Sequence, residues 1–241
     1  MCGMVGYAGA QAQSALEAVL AGLGRLERAE HDASGVAVLS DGGLAAAGAA
    51  GPLAQLRGVL ARRPLPTGGT GVGQLRGKAG TGNGATTCAQ PCLDAAGRVA
   101  VVHDGFFGNR AELRDALTGR GHLLPSGTEG EVAAHLLAEQ FSSCVDLGEA
   151  LRQVCRSLRG SFALIAVHAD EPDTVAGVRR GLPLVAGVGD GESFLASDAV
   201  AFGGHAHEVR GLPEDHVVLL RREFDEVRCE VTDAHGSVVQ A

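Results

Sequence analysis

Two hydrophobic rhythms divide the chain. Up to Leu158, short apolar runs alternate with segments whose apolar positions recur every three or four residues; from Gly160 onward the repeat shortens to two. The longer spacing marks one face of a helix, and the shorter marks a half-buried strand. Residues 2–9 predict a strand, and Ser14–Glu27 a helix that Ser14 caps, with Glu17 three residues on. Val36–Ser40 and Leu44–Ala47 read as a hairpin around Asp41-Gly42-Gly43. Leu53–Arg62 is expected as a short helix ended by Pro64, with strands at Gly71–Leu75 and Val99–His103. Between those strands, Arg76 to Gly97 is a Gly/Thr-rich loop too long for a plain connector, which marks it as a functional candidate. Helices follow at Asn109–Leu117, Glu129–Phe141 and Leu147–Leu158. Strands come next at Phe162–His168, Thr174–Val178, Leu184–Val188, Phe194–Ala196, Val217–Leu220 and Val227–Val231, joined by tight turns such as Gly189-Asp190-Gly191. Strands, then helices, then an antiparallel run make an α+β layout, with sheets stacked face to face and helices outside. No linker interrupts the pattern, so residues 1–241 are read as one domain.

Composition sharpens this picture. Glycine supplies 37 of 241 residues, scattered through apolar segments rather than gathered in a low-complexity tract. Aromatics are 3%, with no Trp and one Tyr, so the core has to be built from Ala, Val and Leu through many small contacts. Charge works by exclusion. With 20 Lys+Arg against 28 Asp+Glu, a net −8, there is no basic excess with which to bind a nucleic acid. No apolar run reaches the roughly 18 residues of a membrane span. The start lacks the basic and apolar regions of a secretory leader, so a cytoplasmic location is expected.

Six cysteines stand at 2, 88, 92, 144, 155 and 229, and in such a chain free thiols are expected. Cys88 and Cys92 have the spacing of half a zinc site, but no second Cys/His pair matches it, and they read more simply as loop cysteines. Cys144 and Cys155 fall in helical stretches and read as core residues. Cys2 differs by position. If Met1 is removed, thiol and α-amine share the first residue. The amine, with a free pKa of ~7.7–8.0, can then accept the thiol proton directly or through water, without a separate His. Gly3 lets another backbone approach closely. Taken alone, Met-Cys-Gly is also how an ordinary strand can begin.

The surroundings add to this. Met1-Cys2-Gly3-Met4-Val5-Gly6-Tyr7 is followed by Arg25-Leu26-Glu27, Asp32-Ala33-Ser34-Gly35 and Gly71-Val72-Gly73-Gln74-Leu75-Arg76. Further on stand Val99-Ala100-Val101-Val102-His103-Asp104-Gly105, Thr128-Glu129-Gly130-Glu131-Val132, Gly160-Ser161-Phe162-Ala163-Leu164, Pro183-Leu184-Val185 and Phe194-Leu195-Ala196-Ser197-Asp198. In order and approximate spacing, the series resembles the N-terminal-nucleophile (class II) glutamine amidotransferases over essentially the whole chain. The likeness is greatest to the glutaminase domain of the glutamine:fructose-6-phosphate aminotransferase type. The resemblance implies a four-layer αββα N-terminal-nucleophile hydrolase fold, antiparallel sheets sandwiched between helices, with neither cofactor nor metal. It also implies a site: Cys2 as nucleophile, Gly105 as a backbone oxyanion donor, Arg76 for the carboxylate of glutamine and Glu129 for its ammonium. A guanidinium fork suits a carboxylate, and each charged end of an amino acid needs its own partner. Glu129 also has a bland explanation, because acids favour the first turn of a helix.

The departures from the family pattern gather around that site. After Arg76 the chain reads Gly77-Lys78-Ala79-Gly80-Thr81 in place of Trp-Ala-Thr-His-Gly, and Cys88-Ala89-Gln90-Pro91-Cys92 in place of Asn-Ala-His-Pro-His. Before the second strand it has Arg28-Ala29-Glu30-His31-Asp32, where the family has Tyr-Arg-Gly-Tyr-Asp. Asp104 stands where the family has the Asn whose amide donates to the oxyanion. An ionised carboxylate has no donor and places like charge beside a developing anion. Either Asp104 is protonated and donates, or His103 pairs with it and keeps it ionised.

Three readings follow. In the first, the chain hydrolyses glutamine and feeds ammonia to a separate synthase/isomerase partner chain, its own sugar-phosphate isomerase half being absent. In the second, it is a degenerate amidotransferase-like binding or regulatory subunit. In the third, it is an N-terminal-nucleophile amidohydrolase whose pocket, opened by Gly77 and Gly80, takes a different amide. The resemblance further implies a larger assembly, for which a homo-oligomer is one form.

Overall fold

All seven residues of the first strand, β1 (Gly3–Gly9), are buried, so both of its faces must be covered. The computed structural model describes residues 2–10, 15–28, 31–41, 43–77 and 91–240. After β1 come α1 (Ala15–Leu26), β2 (His31–Ser40), β3 (Gly43–Ala50), α2 (Leu53–Arg62), β4 (Thr70–Gly77), β5 (Cys92–Leu93) and β6 (Val99–Phe107). Three helices follow, α3 (Arg110–Gly119), α4 (Glu129–Cys144) and α5 (Leu147–Ser157). The antiparallel run is β7 (Gly160–His168), β8 (Glu171–Arg180), β9 (Val185–Val188), β10 (Glu192–Ala196), β11 (Glu208–Gly211), β12 (Val217–Glu223), β13 (Glu226–Thr232) and β14 (Val238–Gln240).

The strands form two antiparallel sheets, β11-β9-β10-β1-β4-β2-β3 and β14-β13-β12-β8-β7-β6-β5. Alternation along each strand then sorts the core into three slabs. Met4, Ala8, Val72, Ala100, Val102, Ala163 and Ile165 fill the space between the sheets. Val5, Tyr7, Val36 and Leu75 turn the other way, against Val19 and Leu23 of α1 and Leu56 of α2. On the far side, Val101, Phe107, Leu164 and Ala166 meet Leu137 of α4 and Leu151 of α5. The expected αββα layering is what the chain adopts. Small residues allow it: a Cβ at Gly6 would lie 2.8 Å from Ile165 Cγ2, so a methyl in mid-β1 would push the sheets apart.

Several boundaries differ from the sequence reading. β2 begins five residues earlier, at His31, and β6 runs on to Phe107, which carries Asp104 and Gly105 inside a strand. The presumed loop after Arg76 contains β5, and Cys92 is a buried strand residue rather than a loop cysteine. Arg76 itself lies within β4. The short edge strands β11 and β14 were not expected, because four and three residues carry too little pattern. Cys155 is buried as anticipated, and Cys144 is only partly so. The Ser14 cap, Gly42 of the hairpin turn, Lys78-Ala79-Gly80-Thr81 and Cys88-Ala89-Gln90 lie outside the described residues.

Two histidines tie stability to pH. His168 is 4% exposed and stacks on Phe141, ring centroids 3.5 Å apart. His135 is equally buried, with its Nδ1 2.8 Å from Nδ1 of His122. Burial pushes both imidazoles below their ordinary value of 6.5, and His122 pushes His135 further down. A depressed imidazole takes up its proton in the unfolded chain before the folded one, so stability is lost as pH falls from 6.5 toward the folded values. The urea midpoint at pH 5 is expected below that at pH 7. Equal midpoints would show that neither ring is held neutral.

Candidate active site

Strand alternation brings the site together. Asp104 shares its face of β6 with Ala100 and Val102, which point into the space between the sheets. Arg76 shares its face of β4 with Val72, and Cys2 precedes β1 in phase with Met4; both of these also face the inter-sheet space. The register Gly3↔Leu75 brings Cys2 level with the end of β4. Cys2, Arg76 and Asp104 therefore converge at one end of the inter-sheet cleft.

The Cys2 thiol is held strongly protonated, its pKa raised to about 11. Burial is the largest cause, followed by the negative charge of Asp104. A hydrogen bond from the Gly77 backbone N–H works the other way, a second bond to Asp104 raises the value again, and the chain's amino terminus lowers it. The same carboxylate reaches Gly105, whose N–H donates to Asp104 Oδ1 at 3.0 Å. Gly105 has φ +96, a conformation that favours glycine. The N–H that the resemblance assigns to an oxyanion is thus engaged by the neighbouring side chain.

His103 does not pair with Asp104, contrary to the expectation above. Consecutive strand residues face opposite ways, and the imidazole turns toward α4, where a Cβ on Gly130 would lie 2.8 Å from its Nδ1. That Nδ1 is buried without a hydrogen-bond partner among the described residues. Burial lowers the pKa of the ring; Glu129 and Asp104 oppose this and Arg76 adds to it. These three charged residues thus all act on one imidazole, with Glu129 on the α4 side of β6.

The start of α4 fixes Glu129. Thr128 is the N-cap and its hydroxyl accepts from the Glu131 N–H, while the Glu131 carboxylate accepts from Gly127 N at 2.6 Å and from Ser126 Oγ at 2.8 Å. The Glu129 carboxylate lies 3.5 Å from Nε of Arg110, so an internal partner already meets it. Arg76 is partly exposed at the cleft mouth. Among the described residues, no three His, Cys, Asp or Glu side chains cluster to hold a metal ion.

Sequence reasoning missed Gln74. This side chain is 1% exposed, and it spans the two sheets: its Nε2 donates to the His103 carbonyl, and its Oε1 accepts from the His103 N–H at 3.2 Å. The signal was available in a polar residue two positions after Val72, on the core-facing phase of an apolar strand.

Comparison with known proteins adds an independent line. Residues 83–203 match a family model described as a glutamine amidotransferase domain. The glutamine–fructose-6-phosphate aminotransferase (isomerizing) of Streptomyces coelicolor is 56% identical over 224 residues, covering 92% of this chain and 36% of that protein. Its counterpart in Leifsonia xyli is 42% identical over 242 residues, 100% of this chain and 38% of the relative. The chain therefore spans little more than a third of the length of these relatives. Among solved structures, the glutamine phosphoribosylpyrophosphate amidotransferase of Bacillus subtilis superposes with a TM-score of 0.76 at 20% identity, over 95% of this chain and 49% of that one. That likeness concerns the fold.

Proposed function

The chain belongs to the class II glutamine amidotransferases, and on that premise we propose that it hydrolyses glutamine to glutamate and ammonia through Cys2. Removal of Met1 places the α-amine on the same residue as the thiol. Cys2 Sγ attacks the side-chain carbonyl of glutamine while the amine takes the thiol proton. The C–N bond then breaks, the proton passes to the leaving ammonia, and a thioester remains. Water adds to that thioester, the C–S bond breaks, and glutamate leaves with the thiol restored. Arg76 pairs with the substrate carboxylate in a forked geometry, and Glu129 receives the ammonium, releasing Arg110 in part. Gly77 supplies a backbone N–H beside the thiol, and Gly105 a second once its bond to Asp104 opens. The reading is carried by the meeting of the Cys2 thiol and the Gly77 N–H in the cleft that Arg76 enters.

The names of the relatives suggest where the ammonia goes: to a sugar-phosphate synthase/isomerase unit, fused to this chain or on a separate one. Residues 1–241 would form its glutaminase domain. Free thiols at Cys2, Cys144, Cys155 and Cys229 suit a reducing cytoplasm. One observation favours a second reading, a binding or regulatory domain with little turnover. Asp104 both raises the thiol pKa and occupies the Gly105 N–H, the two features that an acyl-transfer site must leave free.

Covalent labelling tests the proposal. With loss of Met1 established by intact mass, 6-diazo-5-oxo-norleucine is expected to modify Cys2, glutamine to slow that modification, and the labelled protein to stop releasing glutamate. A folded chain whose Cys2 is not labelled, or is labelled at the same rate in saturating glutamine, would overturn it.

A further inference from the structure

Among the described residues, strand β6 is paired on both sides only at its start, and on one side where the site begins. β5 supplies only Cys92 and Leu93, opposite Val101 and Ala100. Two residues on, at His103, β7 is the only strand alongside among the described residues, through the pair His103↔Leu164. In an antiparallel strand the N–H and C=O of one residue point to the same side. Both backbone groups of His103 bond to the Gln74 side chain, so they point away from β7, to the side where no strand of the described residues meets them. A primary amide is the side chain that can answer both, since it offers one donor and one acceptor in a plane, as a peptide group does.

The positions of the two partners give this bond a consequence. Gln74 lies two residues before Arg76 and three before Gly77, whose N–H meets the Cys2 thiol. His103 immediately precedes Asp104 and Gly105. We infer that the Gln74 amide is a positioning residue for the nucleophile: by clamping the His103 backbone to β4, it sets Asp104 and Gly105 of one sheet against Cys2 and Gly77 of the other. This inference deepens the reading of Cys2 as nucleophile and rests on it for its catalytic meaning. The clamp adds nothing to the hydrophobic slab that Val72 and Val102 already make; what it fixes is the distance between two strand ends that belong to different sheets.

The same strand supplies a control. Thr70, fully buried at the other end of β4, donates its hydroxyl to the Pro172 carbonyl of β8 and so makes a second cross-sheet bond, far from the thiol. The test compares the unsubstituted chain with Gln74→Leu, Gln74→Met and Thr70→Val, all prepared with Met1 removed. Cys2 is alkylated with iodoacetamide between pH 7 and 11 and followed by peptide mass spectrometry, which separates it from the other five cysteines. Loss of the clamp frees Asp104 from the thiol it opposes, leaving burial, the Gly77 N–H and the terminal amine to set the profile. The expected result for both Gln74 variants is a profile displaced by about one pH unit toward neutrality, with alkylation at pH 8 about tenfold faster. Thr70→Val, which removes a comparable bond, is expected to keep the profile of the unsubstituted chain.

Superimposable profiles for folded Gln74→Leu and the unsubstituted chain would overturn the inference, as would an equal displacement in Thr70→Val. If Gln74→Leu does not fold, Gln74→Met decides; if neither folds, the amide acts on folding rather than on the site, and the inference also fails. The readout needs no turnover. A chain inert toward glutamine still reports on the clamp, and a chain that turns over glutamine with an unmoved profile removes the clamp while leaving the proposed function standing.

Discussion

Asp104→Asn is expected to raise glutamine turnover by about 10²–10³-fold, the size of effect that one oxyanion donor typically has. As it stands, the Asp104 carboxylate acts against the reaction in two ways. It keeps the thiol protonated, and it draws the Gly105 N–H to itself. The amide of Asn has nearly the same shape, carries no charge and offers an N–H₂ donor. It would lower the Cys2 pKa and put a donor where negative charge develops. The measurement is kcat/KM for glutamate release by the two proteins, side by side. An unchanged or lower value would mean that Asp104 has a constructive role. If Asp104→Asn stays silent while its Cys2 alkylates readily, the binding-domain reading gains.

Gly105→Ala is expected to cost about 3–5 kcal/mol in folding stability, from a strained backbone and a steric clash with β7 combined. A Cβ there would lie 2.2 Å from the Ser161 carbonyl oxygen, 2.7 Å from Leu182 Cδ1 and 3.0 Å from Phe162 Cα, and the positive φ disfavours any side chain. Two of those atoms are backbone of β7, paired through Gly105↔Phe162, so relief requires the β6–β7 ladder to part locally. For a chain of this size, the loss corresponds to a fall in Tm of roughly 6–20 °C. Asp104→Asn, at a half-exposed side chain, should leave Tm nearly unmoved, so the adjacent substitutions separate stability from chemistry. A Tm for Gly105→Ala within 2 °C or so of the parent would contradict the positive φ and close approach to β7 at this position.

Much of the framework was legible because the chain punctuates it. Leu53–Arg62 was placed to the residue between Pro52 and Pro64, and Glu129 and Leu147 open α4 and α5 behind Thr128 and Asp146, side chains that cap in both cases. Strand ends were harder to read. Asp104 and Gly105 interrupt the apolar run of β6 yet remain in the ladder, because pairing with β7 outweighs their weak strand preference. Of the site, the resemblance supplied Cys2, Arg76, Gly105 and Glu129; strand phase sets Cys2 and Arg76 on the inter-sheet side with Asp104, while Glu129 stands at the start of α4 beside Arg110. The suggested His103–Asp104 pair fails on alternation, which the sequence already contained. Gln74 escaped notice because its partners are backbone groups, which no pattern of side chains announces.

The lone tyrosine gives the molecule a built-in optical probe. Tyr7 sits on β1, buried, edge-on to Phe194 with centroids 5.1 Å apart, and its hydroxyl donates to Glu192 Oε2 at 3.0 Å. With no tryptophan in the chain, ultraviolet emission and near-ultraviolet dichroism arise essentially from this one phenol and seven weakly absorbing phenylalanines. Because Cys2 leads directly into β1, a ligand that tugs on that strand can be followed by its spectrum, with no dye attached.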